Sequence, residues 1–193
     1  MAWHAVVVMA LALLVVAAVA YAVSLYNALI QVKHQVDQAW SNIDVLLKQR
    51  HDELPKLVET CKQYMEYEVD TLERVMKARA AVSSAREKGD VGALGPAESE
   101  LRIGLGNLFA VAEAYPQLKA NETFQHLQTR ISGLENSIAD RREFYNEAVN
   151  NNNVRIEQFP DLVIARFFGF RGAELLEFGD EEKKDVDLKA LFS

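Results

Sequence analysis

The chain has 193 residues and a net charge of -7, too acidic a balance for nucleic acid, whose phosphates need a basic patch, or for a polybasic grip on anionic lipid. Its single cysteine, Cys61, excludes an internal disulfide framework and any cysteine-based metal site. Charge is also unevenly spread: every Lys, Arg, Asp and Glu lies at or beyond Lys33, which is the composition of a tethered domain.

The first element is an uncharged apolar run, Ala5 to Val23. At about 1.5 Å per helical residue, its roughly twenty residues match a hydrocarbon core of about 30 Å. Trp3 at one end, and Tyr21 with Tyr26 at the other, stand where interfacial aromatics belong. A secretory signal would begin with positive charge, and Met1-Ala2-Trp3-His4 offers no Lys or Arg, although Ala18-Val19-Ala20 fits a cleavage site. The run is therefore read as an uncleaved single-pass anchor, residues 1–24. Lys33, Lys48 and Arg50 follow it, and the positive-inside rule leans toward a cytoplasmic soluble domain.

The anchor passes without a turn signal into a seam of Leu25, Leu29, Val32, Val36, Ala39, Ile43 and Leu46, at steps of three and four that keep one helical face against a partner. Pro55 lacks the N–H that would serve the carbonyl of His51, which predicts a kink or short break. Left as a kink, it would make one long rod with the helix that follows. That helix carries Leu57 or Val58, Cys61, Met65, Leu72, Val75 and Val82, and is expected to end in a loop spanning Gly89, Gly92, Gly95 and Pro96. Pro96 then suits the first position of a third helix, with Glu98 and Glu100 near its positive end. This helix would bury Leu101, Leu105, Leu108 and Val111 or Ala112 and stop at Tyr115-Pro116, with Gly104 and Gly106 marking close backbone approaches. Asn121 can cap a fourth helix bearing Phe124, Leu127, Ile131, Leu134, Ile138, Tyr145 and Val149, and the run Asn150 to Asn153 should end it.

The expected fold class is thus all-α: a transmembrane helix followed by an up-and-down, four-helix, coiled-coil-like bundle over residues 25–153. An irregular Phe-rich segment, 154–178, and a charged tail, 179–193, complete it. In the tail, Leu188, Leu191 and Phe192 suggest a short docking motif.

The residues of this bundle resemble a known family. The stretches Tyr26-Asn27-Ala28-Leu29, Val36 to Arg50 (VDQAWSNIDVLLKQR) and Leu54-Pro55-Lys56-Leu57-Val58 are similar to the LemA family. So are Ala112 to Asn121 (AEAYPQLKAN), Phe124, Leu127-Gln128, Glu135-Asn136, Ile138, Arg142, Tyr145-Asn146 and Phe159-Pro160. The resemblance spans roughly Tyr26 to Phe178. It implies a bacterial inner-membrane protein with an amino-terminal anchor and a helical bundle, and no established enzymatic activity. Some members are associated with building intracellular membrane organelles such as magnetosomes. Others resemble lipoproteins, with a cysteine just before the Tyr-Asn pair; here Val23, Ser24 and Leu25 precede Tyr26, which excludes lipid attachment at that point.

No catalytic, cofactor-binding or metal-binding set is expected. His4, His34, His51 and His126 lack metal-site spacing, and adjacent His51, Asp52 and Glu53 point to different sides of a helix. Glu66, Glu68, Asp70 and Glu73 lack the Glu-x-x-His pairs of di-iron bundles; a charged face with Arg74 and Lys77 explains them. Cys61 sits at a seam position as a small apolar filler, and no activated nucleophile or phosphate loop is present. Asp37, Trp40, Asp44, Glu113, Tyr115 and Arg142 match family positions beside the seams, and their expected role is a polar core fixing helix register. The Phe-rich segment, with Phe159, Leu162, Phe167, Phe168, Phe170 and Phe178, needs burial on its own bundle, on a neighbouring copy or at the membrane surface. These features together predict a membrane-anchored scaffold that forms a homo-oligomer. The alternative is an adaptor that binds another membrane protein, such as a protease or transporter.

Overall fold

In a computed structural model of the chain, which describes residues 2–177, the elements are all helical: α1 Ala2–Lys62, α2 Val69–Lys88, α3 Val91–Ala112, α4 Pro116–Lys119, α5 Glu122–Glu157 and α6 Asp161–Phe168. Phe178, Leu188, Leu191, Phe192 and the charged tail lie outside the described residues. The chain divides into two compact units. One comprises the residues up to Trp40 with Tyr145–Ala173, and the other Ser41–Phe144 with the residues from Glu174 onward.

The first unit is built from the amino-terminal part of α1, the end of α5, and α6. Every residue from Trp3 to Tyr21 is exposed, although almost all are apolar. Burial begins only at Leu29, Val32 and Val36, which share the interior of this unit with Tyr145, Val149 and Ala165. No turn separates the exposed run from these seam residues.

The second unit is a four-helix arrangement. Ile43, Leu47, Leu54 and Leu57 of α1 are buried, as are Leu72, Val75 and Val82 of α2, Leu94, Leu101, Leu105 and Leu108 of α3, and Phe124, Leu127, Ile131 and Ile138 of α5. Each such side chain contributes about 1.5–3 kcal/mol by leaving water. The seams bury as their spacing predicts with one exception in α1, where Leu47 is buried in place of the expected Leu46; Leu46, like Leu25 and Ala39 of that seam, is half-buried.

The helix boundaries differ from those expected, each for a physical reason. Pro55 does not interrupt α1, because the His51 carbonyl it leaves unserved accepts from Nε of Arg79 at 2.9 Å. The interruption falls at residues 63–68, where Met65 turns into the core and long-range bonds hold the turn: Asn121 Nδ2 donates to Tyr64 Oη at 3.2 Å and Tyr115 Oη to Glu68 Oε1 at 3.3 Å. The loop expected over 89–96 contracts to Gly89, in the left-handed region at φ 65°, and Asp90, whose carboxylate accepts from Ala93 N at 2.9 Å as the cap of α3. Gly92, Gly95 and Pro96 consequently lie inside α3. A Cβ at Gly95 would stand 1.8 Å from the carbonyl oxygen of Glu177, so the glycine admits the carboxy-terminal segment, whose Leu176 is buried. Gly104 meets Val75 of α2 as expected, whereas Gly106 faces open space.

The asparagine run does not end α5, which continues to Glu157. Asn153 accepts from Nδ2 of its neighbour Asn152 at 3.2 Å and reaches across to Ala173, donating from Nδ2 to the carbonyl and accepting the Ala173 N–H at Oδ1, both at 2.9 Å. Asn152 Nδ2 adds a bond to the carbonyl of Arg171 at 3.4 Å. A segment read as a helix stop is thus a backbone clasp. Asn121 does cap α5, accepting from Phe124 N at 3.0 Å.

Candidate functional site

The Phe-rich segment folds back along α1 as α6 and its C-cap, Gly169, at φ 72°. Arg155 of α5 donates from Nε to Asp161 at 3.0 Å and fixes the start of α6. Phe168 packs its ring 4.7 Å from that of Tyr26, and Phe170 meets the same ring edge-on at 5.8 Å. Between them lies a cleft of about 430 Å³, lined by Tyr26, Lys33 and Asp37 of α1, Asn152 of α5, and Phe168 and Arg171. Tyr26 is three residues beyond Val23, the end of the apolar run. The cleft can therefore meet groups at the edge of that run with aromatic faces, two cations and a carboxylate.

The second unit holds a buried charge cluster that the sequence reading did not single out. Arg50, 1% exposed, donates from Nη1 to Glu135 Oε1 and from Nη2 to Glu98 Oε1, both at 2.5 Å. Its Nε is, among the described residues, the one buried side-chain nitrogen or oxygen without a hydrogen-bond partner. Burial is the largest influence on Arg50 and pulls its pKa down, but the two carboxylates together outweigh it and hold it above its ordinary value. Burial likewise raises the Glu98 carboxyl; Arg50 offsets part of this, and the second carboxylate, Glu135, adds to it. Two acids sharing one guanidinium tie α1, α3 and α5 together at a single depth. The signal was present: Arg50 stands at seam steps from Leu47 and Leu54, and Glu98 at seam steps from Leu94 and Leu101.

The other polar positions are dispersed. Trp40 packs its ring 5.6 Å from Tyr145 in the first unit. Asp37 is exposed and 3.9 Å from His34. In the second unit, half-buried Asp44 pairs with Arg86 at 3.2 Å, exposed Glu113 pairs with Lys119, and Tyr115 donates to Glu68. Arg142 is half-buried and has a partner. Cys61 is fully buried, and burial pushes its thiol up to about 12, so it stays protonated at neutral pH. Among the described residues, no group of three or more His, Cys, Asp or Glu is placed to hold a metal ion. Of the Phe-rich residues, Leu162 and Phe170 are half-buried, whereas Phe159 is 83%, Phe167 81% and Phe168 55% exposed.

The architecture is that of an all-helical bundle joined without a break to the one described helix long and apolar enough to cross a membrane. Residues 39–189 match the model of the LemA family, and the chain belongs to that family. It is 28% identical over 197 residues to the magnetosome proteins MamQ 1 and MamQ 2 of Paramagnetospirillum magneticum, covering 90% of this chain and 72% of each relative. It is 26% identical over 167 residues to Protein LemA of Metamycoplasma hominis, covering 86% and 74% of the two chains. It is accordingly a membrane-associated helical protein of the LemA family.

Proposed function

We propose that the chain is a non-enzymatic scaffold, anchored in the bacterial inner membrane by residues 1–24, whose bundle self-associates on the cytoplasmic side. The bundle spans 25–153, and the Phe-rich segment, 154–178, makes contacts beyond the protomer, ahead of the charged tail, 179–193. One observation carries the reading: a helix that exposes only apolar groups from Val6 to Val19 passes unbroken into the buried seam of Leu29, Val32 and Val36. An exposed apolar face of that length belongs in lipid, and a turnless junction transmits its orientation to the domain. The magnetosome-named relatives support a part in an assembled body rather than in a reaction.

Crosslinking of the full chain in its native membrane, followed by mass measurement in mild detergent, tests this. A discrete homo-oligomer is the expected result, and a monomer at every concentration overturns it. A second reading, the adaptor, is favoured by a groove in the second unit whose apolar floor of Val58, Met65, Val69, Leu72 and Met76 is edged by Lys62, Glu66 and Glu73. Near-stoichiometric crosslinking to one different protein would establish that reading instead.

A further inference from the structure

The α6 helix is apolar on the wrong side for a helix packed in water. Asp161 and Ala165, one turn apart, are buried against the first unit, while Val163 and Phe167, one turn apart on the opposite face, are exposed. Phe168 and, just before the helix, Phe159 extend this exposed apolar surface. Large exposed aromatic groups gathered in this way mark an interface.

The level at which they stand identifies what covers them. The groove lined by Gln31, Val32 and Gln35 of α1, by Asn151 and Val154 of α5 and by Gln158 just beyond it shows that α5 ends beside α1 eight to twelve residues past Val23, about 12–18 Å along the helix. The α6 helix follows immediately, and the Phe168 ring rests on Tyr26. Three residues separate Tyr26 from Val23, about 4.5 Å along a helix. The polar layer of a bilayer is about 5–7 Å deep on each side of its hydrocarbon core. Tyr26, and with it Phe168, therefore lies within that layer whenever Ala5–Val23 spans the core. Exposed Lys33, Arg166 and Arg171 surround the aromatic surface, where long cationic side chains reach phosphates while phenylalanines enter the acyl boundary.

The geometry points to α6, with Phe159, Val163, Phe167 and Phe168, as an interfacial foot that enters the same bilayer leaflet at which α1 emerges. The occupant is phospholipid rather than a second copy of the chain. The inference rests on the anchor reading above. It gives the protein two attachments to one membrane, a span and a foot, which together fix the rotation of the first unit about the membrane normal.

Photo-crosslinking of the full chain in bacterial membranes tests it, with benzoylphenylalanine at one position per variant: 14 in the apolar run, 159 and 167 at the foot, and 67 as an exposed control. Phospholipid-mass adducts are expected at 159 and 167 at a yield similar to that at 14, and at least ~10-fold above that at 67. Adducts to a second copy or to another protein at 159 and 167, or no adduct there, while 14 labels lipid, overturn the foot and leave the anchor standing. Lipid adducts missing at 14 as well overturn both. Lipid adducts at 159 and 167 without one at 14 overturn the anchor and, with it, the two-point attachment, leaving α6 as a lone lipid contact.

Discussion

Nε of Arg79 donates to the backbone carbonyl of His51 at 2.9 Å, and this is the carbonyl that Pro55, four residues on, leaves without its helical partner. A side chain from α2 thus completes the hydrogen bonding of α1 where the sequence interrupts it. Replacing Arg79 with Met should destabilise the second unit by about 1–2 kcal/mol, the cost of a part-buried acceptor left unserved. In a Pro55→Ala background the helical N–H returns, and the same replacement should cost about 1 kcal/mol less. Denaturant unfolding of the four variants in detergent measures this cycle, and equal costs in both backgrounds would show that the bond compensates for nothing.

The same pair sets a pH response. Nη2 of Arg79 stands 2.6 Å from Nε2 of His51; burial first, and then this guanidinium, hold the imidazole below its ordinary value of 6.5. A base depressed in the folded state favours folding while it is neutral. Its contribution is fully present above 6.5 and is lost as pH falls through the folded value. Acidification from about pH 8 to about pH 5 should lower the unfolding midpoint more in the parent than in His51→Gln, which keeps an acceptor but cannot titrate. Parallel profiles would remove His51 as the cause.

Arg50 is the costliest side chain to change. Arg50→Met strands the buried carboxylate of Glu98 and the half-buried one of Glu135 and should destabilise by about 3–5 kcal/mol. Adding Glu98→Gln and Glu135→Gln to it should recover part of that loss. Lysine lacks the planar fork that reaches Glu98 and Glu135 from separate nitrogens, so Arg50→Lys should not restore stability. Thermal unfolding of the series decides, and a parent-like midpoint for Arg50→Met would show that the cluster is dispensable.

The carboxy-terminal segment is held at two separable points. Asn153→Leu removes both bonds to Ala173 and should speed amide exchange at Ala173 by ~10-fold or more. Gly95→Ala places a methyl group where the Glu177 carbonyl lies and should free residues 174–177 while Ala173 remains protected. Hydrogen exchange followed by mass spectrometry resolves the two, and simultaneous release of both stretches by either change would mean a single cooperative latch.

The apolar seams were legible because three-and-four spacing needs no tertiary information, and Leu29, Leu54, Leu101 and Ile131 bury accordingly. What could not be read locally was decided by partners far along the chain. Residues 63–68 contain neither Gly nor Pro, and their turn is held through Asn121 and Tyr115. Asn153 was expected to compete for its own backbone, yet its amide meets Ala173 twenty residues later. At the candidate site, the density of phenylalanine was visible but the inverted face of α6 was not, because an eight-residue helix offers too few turns to display a period.

Leu176, 1% exposed, completes the interior of the second unit, and its seat against α3 is supplied by residues made some eighty positions earlier. Chains grow from the amino terminus, so the apolar run of α1 leaves the ribosome well before this leucine. With α1 as the anchor proposed above, attachment to the membrane begins before the bundle can close. Until Leu176 emerges the second unit is an unfinished bundle with one core position open, and on the anchor reading proposed above that interval is spent confined to a membrane surface.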